Sequence, residues 1–112
     1  MSLLSMLFSA KATHKNINVL QPDAFKTRIL EHKNVQLVDV RTAKEFKSGH
    51  IKNAKNIDFY SGGFPAEFEK LNKTQPVYVY CRSGVRSRQA ANKLVKMGFS
   101  EIYDLKGGYL SW

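Results

Sequence analysis

Val77-Tyr78-Val79-Tyr80-Cys81-Arg82-Ser83-Gly84-Val85-Arg86-Ser87 is the stretch that decides how this chain folds. Four apolar residues end at a cysteine, a loop of small and cationic residues follows, and the pattern turns helical from Arg88 to Met97. A short run of β-branched and aromatic residues without alternation reads as a strand buried on both faces, and such strands belong to parallel sheets. Strand, tight loop and helix in that order bring the loop's N–H groups and the helix N-terminus around the cysteine sulfur, a setting that favours an anion.

Cys81 is the only cysteine in the 112 residues. A lone cysteine after a buried strand is ordinarily a small core residue. Its neighbours argue for chemistry instead. Packing does not call for two arginines, a glycine and two serines in the next six positions, whereas an anion cradle needs small residues for close backbone approach and cations for charge. Thiolate is the nucleophilic form of cysteine, and nearby cations with a helix N-terminus favour it. Cys81 is thus the candidate nucleophile, and Arg82, Ser83, Gly84, Val85, Arg86 and Ser87 form the candidate substrate-binding loop.

Outward from this stretch, Val35-Gln36-Leu37-Val38-Asp39-Val40 is a second buried run, broken only by a charge near its end. Ile17 to Leu20 reads as a short strand, and Pro22 opens a helix in which Phe25, Ile29 and Leu30 recur at helical spacing. Thr42 caps a short helix through Phe46, with Glu45 placed for a capping box and Gly49 closing it. Ile57 to Phe59 is a weak strand, Phe64 to Leu71 a helix with Phe64, Phe68 and Leu71 on one face, and Ile102-Tyr103 a last strand. In the helix after Cys81, Ala90, Ala91, Leu94, Val95 and Met97 face the core. The expected fold is an α/β sandwich, with a central, mostly parallel sheet of about five strands and helices on both faces. Ligands in such sheets bind at the carboxyl ends of strands, so Asp39-Val40-Arg41 and Cys81 are expected to share one pocket.

Composition narrows the function classes. The chain carries 18 Lys+Arg against 9 Asp+Glu, a formal charge of +9, but the cations are scattered without a basic run. That pattern predicts a solvated cationic surface that attracts small anions, and no nucleic-acid partner. One cysteine excludes an internal disulfide, and three scattered histidines (His14, His32, His50) do not make a zinc spacing, so no metal site is expected. Residues 1–16 read as an N-terminal extension and 17–112 as the domain. The apolar Leu3, Leu4, Met6, Leu7 and Phe8 form too short a stretch to span a bilayer. No Lys or Arg precedes it, so a short helix laid on the domain is expected in preference to a signal peptide, and cytoplasmic location in preference to secretion. Met-Ser-Leu at the start is also readable as a vector remnant.

Taken together, Asp39-Val40-Arg41, Glu45-Phe46, Gly49-His50-Ile51 with Ala54 and Asn56-Ile57, the Cys81 to Ser87 loop, Gly98-Phe99 and Leu105-Lys106-Gly107-Gly108 with Trp112 give a chain that resembles a single-domain rhodanese, a sulfurtransferase family. The resemblance covers almost all of residues 17 to 112. It implies that Cys81 takes a sulfane sulfur from an anionic donor such as thiosulfate and passes it, through a persulfide, to cyanide, a thiol or a protein acceptor. It implies no metal or organic cofactor. Asp39, Arg41 and Glu45 are read as supporting residues, with Arg41 expected to pair with Glu45 across the turn. Arg86 is read equally as an orienter of the donor and as a structural partner of Asp39 or Glu45, and His50 as a structural histidine packing a turn. Two other readings stay open: a persulfide carrier or docking module for a partner protein, and a phosphatase or arsenate reductase of the same fold. The latter needs a Cys-X5-Arg loop, and that count lands on Ser87 here, with Arg86 one residue early.

Overall fold

Strands this apolar cannot keep a face in water, and the sheet they form is covered on both sides. The computed structural model describes residues 14–112. In it β1 (Ile17–Leu20) is followed by α1 (Pro22–Glu31), β2 (Gln36–Asp39), α2 (Ala43–Lys47), β3 (Lys55–Asn56), α3 (Phe64–Glu69), β4 (Val77–Tyr80), α4 (Val85–Lys96) and β5 (Ile102–Leu105), and a 3-10 turn over Gly108–Ser111 ends the order. The sheet has five strands in the order β1-β5-β4-β2-β3. Every pairing is parallel, with Asp39 level with Tyr80 and Val79 level with Asp104. The strand that delivers Cys81 is therefore central, and all four of its residues are buried.

Alternation along β4 separates two cores. Val77, Val79 and Cys81 join Phe64 and Phe68 of α3, Ala90, Ala91 and Leu94 of α4, and Ile102. Tyr78 and Tyr80 face the other way, with Phe25 of α1, Leu37, Ile51, Tyr103 and Leu105. The cysteine side chain thus lies on the α4 side. Helices cover both faces, as the sequence predicts. Pro22 does open α1, and Thr42 forms the expected capping box: Glu45 N–H donates to Thr42 Oγ1 and Thr42 N–H to Glu45 Oε1.

Three local expectations are corrected. The helix after Cys81 begins at Val85, three residues earlier than its pattern indicates, because Gly84 at φ +107° turns the chain directly into it. The third strand is Lys55–Asn56, where Ile57 to Phe59 was expected; Ile57 and Phe59 still donate to the carbonyls of Asp39 and Val40, but as they leave the sheet. Leu30 does not join Phe25 and Ile29 in the core and is 73% exposed. Val95 and Met97 do pack against the α4-side core, as expected, and are partly buried there. The expected N-terminal helix falls in residues 1–13, outside the described residues. Among the described residues, no helix is long and apolar enough to cross a membrane.

The contrast between two leucines tests this packing. Leu94 is wholly buried, so Leu94→Ala is expected to lower the urea-unfolding free energy by about 2–5 kcal/mol. Leu30→Ala, at an exposed position, is expected to change it by no more than about 0.5 kcal/mol. Equal losses would mean the α4 face is not packed as described.

Candidate active site

Cys81 leaves the end of β4 with its side chain 1% exposed. Three residues on, Gly84 takes a left-handed backbone conformation at φ +107° that favours glycine, and its N–H donates to Cys81 Sγ at 3.0 Å. Gly84 is the N-cap of α4, and its carbonyl accepts the Arg88 N–H at 3.1 Å, the first rung of the helix ladder. The N–H groups of Val85, Arg86 and Ser87 are the helix's orphan donors. The dipole's positive end and these donors make the sulfur's side of the loop suited to negative charge.

The underside of the loop is held by the 3-10 turn over Gly108–Ser111. Tyr109 N–H donates to the Cys81 carbonyl at 2.8 Å, and Leu110 N–H to the Arg82 carbonyl at 3.0 Å. Gly108 allows this approach. A Cβ there would sit 2.5 Å from the Arg82 carbonyl oxygen and 2.6 Å from that of Cys81, and the residue's φ is +63°. In the sequence Gly107-Gly108 stands only among the residues of the family resemblance, with no sign of what the segment touches.

The supporting residues pair differently from expectation. Arg41 does not pair with Glu45: its Nε lies 3.0 Å from both Asp39 oxygens and its Nη2 2.7 Å from Asp39 Oδ2, while the same Nη2 donates to the Gly49 carbonyl at 2.6 Å. The guanidinium also sits over the Tyr109 ring, 4.5 Å from its centroid. The cause is local. Two residues apart, Asp39 as the last residue of β2 and Arg41 just beyond it curl onto each other, with Arg41 N–H donating to Asp39 Oδ1. Both are buried, and removing one partner of such a pair costs about 3–5 kcal/mol.

Glu45 is thereby left to Arg86. The two meet in a fork, Arg86 Nη1 to Oε1 at 2.7 Å and Nη2 to Oε2 at 2.9 Å. Of the partners expected for Arg86, the structure gives Glu45 and not Asp39, and this bond ties the first turn of α4 to the capping box of α2. Arg86 is the largest influence on the Glu45 carboxyl, holding it down to about 2 from an ordinary 4.5. Arg82 is exposed and makes no ion pair among the described residues. His50 stacks on Phe46 with ring centroids 3.7 Å apart and bonds through Nδ1 to the Phe46 carbonyl, closing the turn after α2.

A family model described as the rhodanese-like domain matches residues 21–112. The chain belongs to the rhodanese-like domain family. It is 34% identical over 99 residues to a protein named thiosulfate sulfurtransferase GlpE from Vibrio cholerae, with 88% of this chain and 86% of that protein covered. It is 42% identical over 81 residues to the uncharacterized protein YqhL of Bacillus subtilis, covering 72% of this chain but 63% of that protein's length. Among solved structures, a rhodanese-like domain protein from Staphylococcus aureus superposes with a TM-score of 0.75 at 35% identity, over 85% of this chain and 90% of that one.

One residue of this rhodanese domain was passed over in the sequence. Asp104 on β5 is 1% exposed; its Oδ1 accepts the Ser87 hydroxyl at 2.6 Å and its Oδ2 the Arg88 Nε–H at 3.1 Å. Burial pushes its carboxyl up, against the pull of Ser87 and Arg88. The signal was available: a carboxylate inside the apolar run Ile102-Tyr103-Asp104-Leu105 is the same pattern that singled out Asp39.

The Glu45 to Arg86 fork should show in acid. A carboxyl depressed in the folded state stabilises above its unfolded value, near 4.5, and that contribution is lost as pH falls toward about 2. With both side chains partly exposed, the full contribution is on the order of 2 kcal/mol. The stability gap between the unsubstituted protein and Glu45→Gln, from urea unfolding at successive pH values, should be full above pH 4.5 and close toward pH 2. A gap that does not change with pH would show that the fork carries no linkage.

Proposed function

We propose that this domain is a sulfurtransferase in which Cys81 attacks the outer sulfur of thiosulfate or a related persulfide donor. In the first half, the Cys81 thiolate forms a bond to that sulfur, the donor's S–S bond breaks, and the electron pair leaves with sulfite from thiosulfate or with a thiolate from a persulfide. In the second half, cyanide or a thiolate attacks the outer sulfur of the Cys81 persulfide, and the Cys81 thiolate leaves. Two simpler displacements replace one transfer, and thiosulfate needs no proton for the first.

The observation that carries this reading is the Gly84 N–H on Cys81 Sγ at 3.0 Å, at the head of α4. The same donor and the orphan amides of the first turn suit the thiolate and then the persulfide anion, which is the arrangement that stabilises charge without reorganisation. Arg82, exposed and without an ion pair among the described residues, is the cation assigned to attract the anionic donor. Arg86 supports the reading from the other side: its guanidinium is spent on Glu45, so a phosphatase-like use of an arginine wrapped around a phosphate is disfavoured. The GlpE relative named a thiosulfate sulfurtransferase adds weight for thiosulfate. Residues 17–112 are taken as the unit that carries the reaction.

Intact mass before and after thiosulfate, then after cyanide, tests the scheme. One added sulfur that cyanide removes is expected, with none on Cys81→Ser. No gain in a protein whose Cys81 alkylates readily would reject thiosulfate as donor. For Arg82→Ala, steady-state kinetics should show KM for thiosulfate rising more than kcat falls, because the proposed role is ground-state attraction. Raised salt should mimic the substitution, and kinetics that Arg82→Ala leaves untouched would remove the assignment.

A further inference from the structure

Asp104 lies on the strand beside the one that delivers Cys81. It is level with Val79, two residues before the nucleophile, and its carboxylate meets α4. Both oxygens go to consecutive residues of that helix's first turn, Ser87 and Arg88. Ser87 is itself wholly buried. Burying a carboxylate is expensive even when it is paired, and an apolar residue would serve the core at least as well. Stability alone therefore does not account for it.

The hydroxyl of Ser87 has one hydrogen and two acceptors within reach, Asp104 Oδ1 at 2.6 Å and the Gly84 carbonyl at 3.3 Å. The shorter contact, to the charged acceptor, takes the hydrogen. The Gly84 carbonyl is then left to the Arg88 N–H at 3.1 Å. Arg88 is thus held twice, by its backbone to Gly84 and by its Nε to Asp104. Gly84 is the residue whose N–H lies on Cys81 Sγ.

We infer that Asp104 is a positioning residue for Cys81: by gripping Ser87 and Arg88 together, it locks the first turn of α4 so that the Gly84 N–H stays on the sulfur. The inference rests on the reading of Cys81 as the reacting group but not on the identity of the sulfur donor. A carboxylate acting only as a nearby charge opposes a second anion on the sulfur, so neutralising it would make the thiol easier to ionise. A carboxylate that holds the cradle in place has the opposite effect, because its loss frees the amide that stabilises the thiolate.

The test is the rate of Cys81 alkylation by iodoacetamide against pH, in the unsubstituted protein, Asp104→Asn, Ser87→Ala and the double variant. Iodoacetamide is small and uncharged, and its reaction reports thiolate without any sulfur transfer. Both single variants should move the half-maximal pH upward by about one unit, a roughly tenfold slower reaction at neutral pH. The plateau at high pH should be unchanged, and the double variant should move no further than Asp104→Asn alone, since that substitution already weakens both contacts of Asp104, the one to Ser87 included. A downward or absent shift in Asp104→Asn overturns the inference, and so do additive shifts or a changed plateau, which would mean altered access. Should Asp104→Asn fail to fold by circular dichroism, Ser87→Ala decides: an upward shift supports the inference and no shift overturns it. Sulfur loading from thiosulfate, run in parallel on the unsubstituted protein, separates the two claims. Normal alkylation without loading would sink the proposed donor and leave the Asp104 result standing.

Discussion

Two backbone hydrogen bonds, from Tyr109 and Leu110 to the carbonyls of Cys81 and Arg82, fix where the nucleophile's strand ends and its loop begins. A parallel strand that runs out of partners leaves its last carbonyls to water or to chance. Here they are taken by the chain's own final turn, whose approach requires that Gly108 have no side chain. The same turn carries Tyr109 onto the Arg41 guanidinium and beside the Tyr80 ring. The ends of β2 and β4 are thereby fastened through a segment that is distant from both in sequence. The Gly84 donor on the sulfur depends on this fastening, since a loop free to lift from below could not keep an amide at 3.0 Å from Sγ.

Around that fixed loop, charge is arranged in committed pairs. Asp39 holds Arg41, Glu45 holds Arg86, and Asp104 holds Arg88. The first fastens the end of β2 to Gly49, the second joins α2 to α4 and the third joins β5 to α4, so each acts as a tie whose main effect is geometric. A guanidinium forked onto a carboxylate has lost most of its freedom and much of its outward field. Arg82, exposed and outside these ties, is therefore the loop arginine whose charge is most available to an arriving anion. The contrast between pinned and available arginines within five residues gives the loop both rigidity and attraction, two properties that a uniformly mobile cationic loop would have to trade against each other.

What could be read from the sequence was what local physics determines. The buried runs around Val38 and Val79 have no polar face to solvate, so their place in a parallel sheet followed from composition alone, and the Thr42 to Glu45 capping box is a contact three residues long. The start of α4 was misplaced because Val85, Arg86 and Ser87 have no apolar periodicity; the helix begins there for a backbone reason, the left-handed Gly84. Arg41 and Glu45 sit four apart and invite pairing, but Asp39 wins because it is closer along the chain and buried with its partner. The fork between Glu45 and Arg86 and the grip of Tyr109 on Cys81 join residues roughly 30 to 40 positions apart. Only the topology brings these together, so no local pattern could announce them. Asp104 is different: a charge in a buried strand was visible, and its partners alone were hidden.

Burial of the nucleophile shapes what each half of the proposed reaction can admit. With Cys81 1% exposed, a donor in the proposed reaction would have to enter the cradle to meet the sulfur, which favours small sulfur anions for the first half. A persulfide moves the reactive atom outward by one S–S bond, about 2 Å. In the proposed reaction that extension would let the outer sulfur meet acceptors that the buried thiol itself does not reach. A deep thiol and a shallower persulfide would thus separate the two substrates by depth in one pocket, with no second site and no moving part. The rigidity supplied by the three carboxylate ties and the Gly108 turn is what such a scheme demands, because a loop that opened by the same 2 Å would erase the distinction.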